Sequence, residues 1–485
     1  MTSNGHQSET SPLLGSEEHE DSLSTPKSNP KVRAIVWGSL TVLFVTTVIL
    51  LVGFEDYFGD AFAPWLGKLP KDPHLAALAI LDRAPVIVSF GTGLLYRAIW
   101  FLLYTSGRSY WFVLLFFTKC LLPSVSTDLP ILVRSSYSNN VSAVDLGSEM
   151  PGHVDIPRLR KGKVGGFFWS TYISCPNPDI AGEDFLGATW RVRDTLEQID
   201  VSKLLIAKYP KTFALALTSD DVKVAIAEGK IASLLGVEGG HQLGNSIAVL
   251  RQYYELGVRY VTLTHTCHNA FADSCGLNPG IVPLHGGLST LGTKLIEEMN
   301  RLGVLVDLSH TSDATARQAI SHSRAPIIWS HSSARAVHDV PRNVPDDILR
   351  LIGRGENKTD GVVMVNFAPF FVASPGKASV ETVADHIGHI AEVAGKEHVG
   401  LGSDFDGIGD VPVGLEDVSK YPALIAELYR RGWDKYELAG LTGGNLLRVM
   451  EGAEKVAGEL RRAGASPVFD LYEKRPDVGH MRVEL

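Results

Sequence analysis

The sequence predicts an α/β protein: a (β/α)8 barrel of the TIM type, preceded by an N-terminal transmembrane helix. Three observations lead there. Eight short apolar runs follow one another from residue 128, namely DLPILVR, GGFFWSTYIS, KIASLLGVEGG, VRYVTLTH, GVLVDLSH, PIIWSH, GVVMVNF and HVGLGSDFDG. Each is continuously apolar, as a parallel strand buried on both faces must be, whereas a half-solvated strand would alternate. Helical stretches separate the later runs, and the runs end in chemically able side chains, Glu238, His265, His310, His331 and Asp404. In a barrel of this kind the strand C-termini are where such groups meet. A doubly wound sheet would not explain them at so many successive strand ends.

The elements follow in chain order. Residues 1–33 are rich in Ser, Glu, Asn and Pro and offer nothing to bury, which reads as a disordered tail. Residues 34–54 are uncharged and about the apolar length that crosses a bilayer. Lys31 and Arg33 precede them and Glu55 and Asp56 follow, so the positive-inside rule leaves the tail in the cytosol and translocates the rest. A type II single-pass topology is therefore expected, with the main domain lumenal or extracellular. Residues 55–127 read as a stem with an anomalous hydrophobic insertion, residues 128–460 as the barrel, and residues 461–485 as a C-terminal tail. Within the barrel, SIAVLRQYYELG, TLGTKLIEEMNRLG, TARQAISHS, PDDILRLIGRG and VETVADHIGHIAEVAG are the expected helices. Gly257, Gly303 and Gly395 close three of them, and Pro345 with Asp346 and Asp347 opens another.

Charge narrows the partners. Forty-five Lys plus Arg against fifty-four Asp plus Glu leave a net charge of −9 without a long basic cluster, which argues against nucleic acid. The four cysteines form neither a CxxC pair nor a zinc-finger spacing. Two sequons, at Asn140 and Asn357, agree with a translocated domain.

Three histidines and two acids at strand ends suggest a zinc site, because neutral imidazole and carboxylate are ligands that Zn²⁺ accepts. Any one of them alone would read as a core histidine or a helix cap. His310 and His331 end consecutive strands and so face one spot, which Glu238 could reach from across the barrel. Small neighbours in GVEGGH leave a carboxylate there room to bridge two ions. Arg342 follows His331 on the same rim, where a guanidinium fork could hold a substrate carboxylate.

GVEGGH, RYVTLTHTCHNAFAD, RLGVLVDLSHTS, RAPIIWSHSSARAV, RNVPDDILRL, GSDFDG and GLEDVSKYPALIAELYRRGW closely resemble the membrane (renal-type) dipeptidases, zinc peptidases of the amidohydrolase-like barrels. The resemblance runs from about Asp128 to Glu454. It implies hydrolysis of dipeptides of broad sequence by a metal-bridged hydroxide, with a D-residue tolerated on the C-terminal side. Glu238 would bridge two zinc ions, and His310 and His331 would hold the second. His265 would stabilise the tetrahedral intermediate, Arg342 would grip the substrate carboxylate, and Asp404 would hold the free amino group and shuttle the proton. Cys175 and Cys267 match a disulfide of the family; Cys275 has no matching partner. Absence of the family's C-terminal intersubunit cysteine means that any homodimer would be noncovalent.

One departure stands out. The family's first strand begins DGHxDLP, with His and Asp both on the first zinc, whereas this chain has SVSTDLP. Asp128 is in place, but Ser126 occupies the histidine position and is a poor zinc ligand. The first site would then keep only Asp128 and Glu238, giving one zinc per subunit instead of two. His153 in PGHVDIP also reads H-x-D, but the matching residue in relatives is no ligand. The family's lead-in, RAPVI, is present as residues 83–87, after which forty residues with ten aromatics and no acid intervene. A second membrane segment, an insertion in a pseudoenzyme and a translated retained intron compete; intact site residues elsewhere favour the intron. The alternatives to a dipeptidase are a one-zinc binding protein and an amidohydrolase acting on lactams or N-acyl amino acids.

Overall fold

The computed structural model describes residues 37, 39–40, 69–83, 122–127, 129–175, 189–276 and 280–473, with residues 122–127 described as backbone. Most of the expected membrane segment, residues 34–54, lies outside them, and so does Asp128. No helix among the described residues is long and apolar enough to cross a membrane.

Nine strands form one parallel sheet: β1 (Leu122–Thr127), β2 (Val164–Ser170), β3 (Phe213–Leu215), β4 (Ile231–Glu238), β5 (Val258–Thr262), β6 (Leu305–Asp307), β7 (Ile327–Trp329), β8 (Gly361–Val365) and β9 (Val399–Leu401). Their order is β1-β2-β4-β5-β6-β7-β8-β9, with the short β3 paired to β4. The sheet curls so that β1 and β9, at the two ends of that order, come into contact. This is an α/β fold consistent with a TIM-type barrel.

Burial explains why the strands do not alternate in sequence. Phe168, Leu234, Tyr260, Leu305, Ile328 and Met364 join one apolar cluster with Leu446 and Met450 of the helix Asn445–Arg462. Their neighbours Phe167, Trp169, Leu235, Val261, Val306, Ile327 and Val363 join another. Successive side chains point to opposite faces, and here both faces are apolar. Gly236 is required by contact: a Cβ there would lie 2.1 Å from the Tyr260 ring.

Seven of the eight expected strand runs hold a strand. The first does not: residues 129–134, read as a strand, belong to the helix Leu129–Tyr137. Leu129, Pro130 and Val133 are buried at helical spacing, and Pro130 sits in the first turn, where a missing N–H costs nothing. The first strand lies just upstream, in the last residues of the interval read as an insertion. There β1 pairs in parallel with β2, Leu122 opposite Val164 and Thr127 opposite Trp169. Among the helix ends, Gly257 and Gly303 adopt left-handed conformations at φ 114° and 85°. Gly395, at φ 110° and ψ 146°, instead takes an extended positive-φ form open to glycine.

The segment read as stem contains a further helix, Pro73–Arg83, which buries Ala76, Ala77, Ile80 and Leu81. Asp72 caps it by accepting the Leu75 N–H at 2.8 Å. It packs on the helix Tyr421–Arg430. Tyr429 Oη donates to the Pro70 carbonyl at 3.2 Å, and Lys163 pairs with Asp82 at 2.7 Å.

Candidate metal centre

The C-terminal ends of β4, β7 and the loop after β6 bring three donors together. Glu238 Oε1 lies 3.0 Å from His331 Nε2 and 3.4 Å from His310 Nε2, and the two imidazole nitrogens are 3.0 Å apart. All three residues are buried. Two ring nitrogens that face each other and one carboxylate oxygen cannot all be satisfied by a single proton, whereas a cation among them serves all three. His310 also has a buried Nδ1 with no hydrogen-bond partner. The donor set, two imidazoles and a carboxylate, is one that zinc accepts. The residues present therefore fit one zinc ion.

The surroundings hold these groups in place. Ser170, the last residue of β2, donates from Oγ to Glu238 Oε2 at 2.8 Å, turning Oε1 toward the histidines. His310 and Asp404 both adopt left-handed backbone, each with φ 64°, a conformation that a non-glycine residue keeps only where the surroundings enforce it. His265 is stacked against His310 with ring centroids 4.2 Å apart and approaches Glu238 Oε1 to 4.0 Å. Asn366, just after β8, donates from Nδ2 to Asp404 Oδ2 at 2.9 Å.

Arg342 is buried on the same rim. Nη1 donates to Ser332 Oγ at 3.2 Å and Nη2 to the His331 carbonyl at 3.1 Å, while the guanidinium lies 5.1 Å over the Phe371 ring. Its Nε–H is buried without a partner.

Electrostatics divide the groups. Burial opposes ionisation of Glu238, but His331 and His310 outweigh it and hold the carboxyl well below its ordinary range. Burial likewise opposes protonation of His331, yet the carboxylates of Asp404 and Glu238 raise its pKa. Burial pushes His265 down to about 3, and burial together with Arg342 and His265 drives His310 well below its ordinary value. For Asp404 burial raises the pKa against the pull of His331. A neutral imidazole at His310 beside an ionised Glu238 offers a cation two ready donors, and the carboxylates that draw a proton to His331 draw a cation as well.

The structure thus brings together Glu238, His265, His310, His331, Arg342 and Asp404. Ser126 lies in β1 with its side chain outside the described residues, as is all of Asp128. His153 is tied to the Asp404 loop: its Nδ1 accepts the Asp406 N–H at 3.0 Å, and its own N–H donates to Asp406 Oδ1 at 2.5 Å. Cys175 and Cys267 are joined in a disulfide, and Cys275 is free and buried. Asn140 and Asn357 are exposed. Sequence reasoning missed Ser170, Asn366 and Asp307. Each is the first polar residue at the end of an apolar run, the same signal that marked Glu238.

Two imidazoles and a carboxylate at this end of a parallel sheet make a candidate metal centre of the kind that metal-dependent hydrolases use. More narrowly, the chain belongs to the membrane dipeptidases (peptidase family M19), whose family model matches residues 118–464. It is accordingly a peptide hydrolase of the metallo-dipeptidase kind. An uncharacterized dipeptidase of Schizosaccharomyces pombe is 48% identical over 332 residues, 67% of this chain and 79% of the relative. Dipeptidase verJ of Clonostachys rogersoniana is 42% identical over 350 residues, 72% of this chain and 88% of the relative. The crystal structure of a Rhodobacter sphaeroides metallo peptidase, liganded with a phosphinate mimic of the dipeptide L-Ala-D-Ala, superposes with a TM-score of 0.60 at 26% identity, covering 69% of this chain and 99% of that one.

Proposed function

We propose that the chain is a zinc dipeptidase that cleaves free dipeptides of broad side-chain range and tolerates a D-residue on the C-terminal side. The observation that carries this reading is the meeting of Glu238 Oε1, His310 Nε2 and His331 Nε2 within 3.4 Å, beside a buried cation and a buried acid. Arg342 offers its fork, including the unpartnered Nε–H, to the substrate carboxylate. Asp404, with one oxygen held by Asn366, takes the substrate ammonium on the other. A cation that takes one end of the substrate and an anion that takes the other measure a zwitterion of two residues, so a longer peptide leaves one charge unpaired. His265, kept neutral by burial, donates a hydrogen bond to the oxyanion that develops at the scissile carbonyl. Asp404 carries the proton to the leaving amine. Glu238, His310 and His331 would hold a zinc ion, which would supply Lewis acidity for polarising the carbonyl and for deprotonating water. The L-Ala-D-Ala mimic on the Rhodobacter relative supports the stereochemical range.

Ser126 at the first-strand histidine position favours one tightly held zinc over two. We further place the catalytic domain, a closed barrel from β1 at Leu122 to about residue 460, on the lumenal or extracellular side of a type II anchor at residues 34–54. The disulfide and the exposed sequon residues Asn140 and Asn357 support that side. The test is Glu238→Gln, read as zinc content and as dipeptide hydrolysis in the same preparation. Both should fall sharply; hydrolysis at the wild-type rate would sink the role of Glu238.

A further inference from the structure

Asp307, the last residue of β6, is fully buried and lies three residues before His310. Its carboxylate accepts four hydrogen bonds. Oδ1 takes the backbone N–H of Ser309 at 3.1 Å and of Ser330 at 2.8 Å. Oδ2 takes Thr262 Oγ1 at 2.5 Å and Ser330 Oγ at 2.6 Å. The ends of β5, β6 and β7 are thereby tied to one side chain.

The consequence turns on a single proton. Ser330 Oγ also lies 2.7 Å from His331 Nδ1 and 3.2 Å from Ser309 Oγ. A hydroxyl has one proton to give, and the short bond to a carboxylate is the strongest acceptor on offer. With its proton committed to Asp307, Ser330 can only accept from His331. His331 must then carry a proton on Nδ1, which makes Nε2 the ring nitrogen that can be offered to a cation. That nitrogen faces Glu238 Oε1 and His310 Nε2, each at 3.0 Å. The backbone is fixed as well, since the His331 N–H donates to Ser309 Oγ at 3.0 Å.

We propose that Asp307, acting through the Ser330 hydroxyl, is a positioning residue that locks His331 in the Nδ1–H tautomer and so sets the affinity of the metal centre. This rests on the metal reading above. A partner of this kind orients a ligand histidine and raises its basicity, and its loss typically weakens metal binding by roughly 10–100-fold.

Asp307→Asn tests the relay at constant shape. The amide NH₂ turned toward Ser330 would donate to its hydroxyl, which would then give its own proton to His331 Nδ1 and force the ring proton to Nε2. Two readouts separate this from a structural role: the Nδ1 proton of His331, from ring ¹⁵N shifts of the metal-free chain, and zinc affinity, from competition with a chelator. The expected result is loss of the Nδ1 proton, with zinc bound roughly 10–100-fold more weakly. Ser330→Ala, a smaller change, should give mixed tautomers and an affinity loss in the same range while the thermal unfolding transition is retained. A fully occupied Nδ1 proton that persists in either folded variant, or unchanged zinc affinity in both, overturns the proposal. A wild-type chain that takes up no zinc would instead strike at the metal reading, and the tautomer in the metal-free chain would still decide the role of Asp307.

Discussion

Replacing Arg342 by methionine probes how the substrate is measured. Arg342 is 4% exposed, and its guanidinium is tied by two hydrogen bonds and seated over Phe371, so it loses little freedom on meeting a carboxylate. A hydrogen bond to a charged group contributes about 1.5–3 kcal/mol, and a bidentate pair about twice that. At 1.36 kcal/mol per tenfold, losing the pair should lower kcat/KM by roughly 10²–10⁴. Methionine keeps an apolar stem over Phe371 but leaves Ser332 Oγ and the His331 carbonyl short of a donor, a cost unrelated to substrate. A double-mutant cycle removes that cost: alanyl-alanine and its C-terminal amide are each assayed with wild type and Arg342→Met. Damage to the site lowers both substrates alike and cancels, while the carboxylate contact remains as coupling. A coupling factor of roughly 10² or more is expected. If both substrates fall together and the factor stays near one, Arg342 does not grip the carboxylate.

Two further outcomes are expected. Ser126→His should raise tightly bound zinc from one to two ions per chain, measured by elemental analysis after exhaustive dialysis; unchanged stoichiometry would mean that the first strand does not present this position to the site. His386 should make the fold sensitive to acid. It is buried and neutral, accepting the Ala334 N–H on Nδ1 at 3.0 Å and donating from Nε2 to the Val372 carbonyl at 2.9 Å, and burial lowers its pKa to about 4. Between pH 6.5 and 4 the unfolded chain takes up a proton that the folded chain refuses, so stability present above that window is lost as pH falls, by up to about 3 kcal/mol for such a group. Urea midpoints recorded from pH 7 to pH 4 measure the slope, and a flat profile would contradict it.

The barrel strands were legible because a parallel sheet covered on both faces leaves continuous apolar runs, as at Val164–Ser170 and Ile231–Glu238. The same rule failed at DLPILVR. Seven residues are too few for apolar content to separate a strand from a helix whose buried face is Leu129, Pro130 and Val133. The three-residue β3, Phe213–Leu215, is too short to leave a pattern. In the site, histidines and acids at strand ends drew notice because their chemistry is distinctive. Ser170, Asn366 and Ser330 did not, nor did Asp307 although it too is an acid at a strand end, since each acquires its role from a partner on another strand, 68 residues away for Ser170 and Glu238 and 45 for Thr262 and Asp307. Hydrogen bonds of that kind exist only once the sheet has formed.

The Cys175–Cys267 bridge spans 92 residues and encloses β3, β4 and β5 within a covalent ring. A protease that cuts inside that ring leaves two pieces that cannot part. Nicked protein would migrate as a full-length chain until a reductant is added, and the fragment bearing Glu238 would stay tethered to the one bearing His310 and His331. Shedding or trimming between these cysteines would therefore leave the metal centre on one molecule.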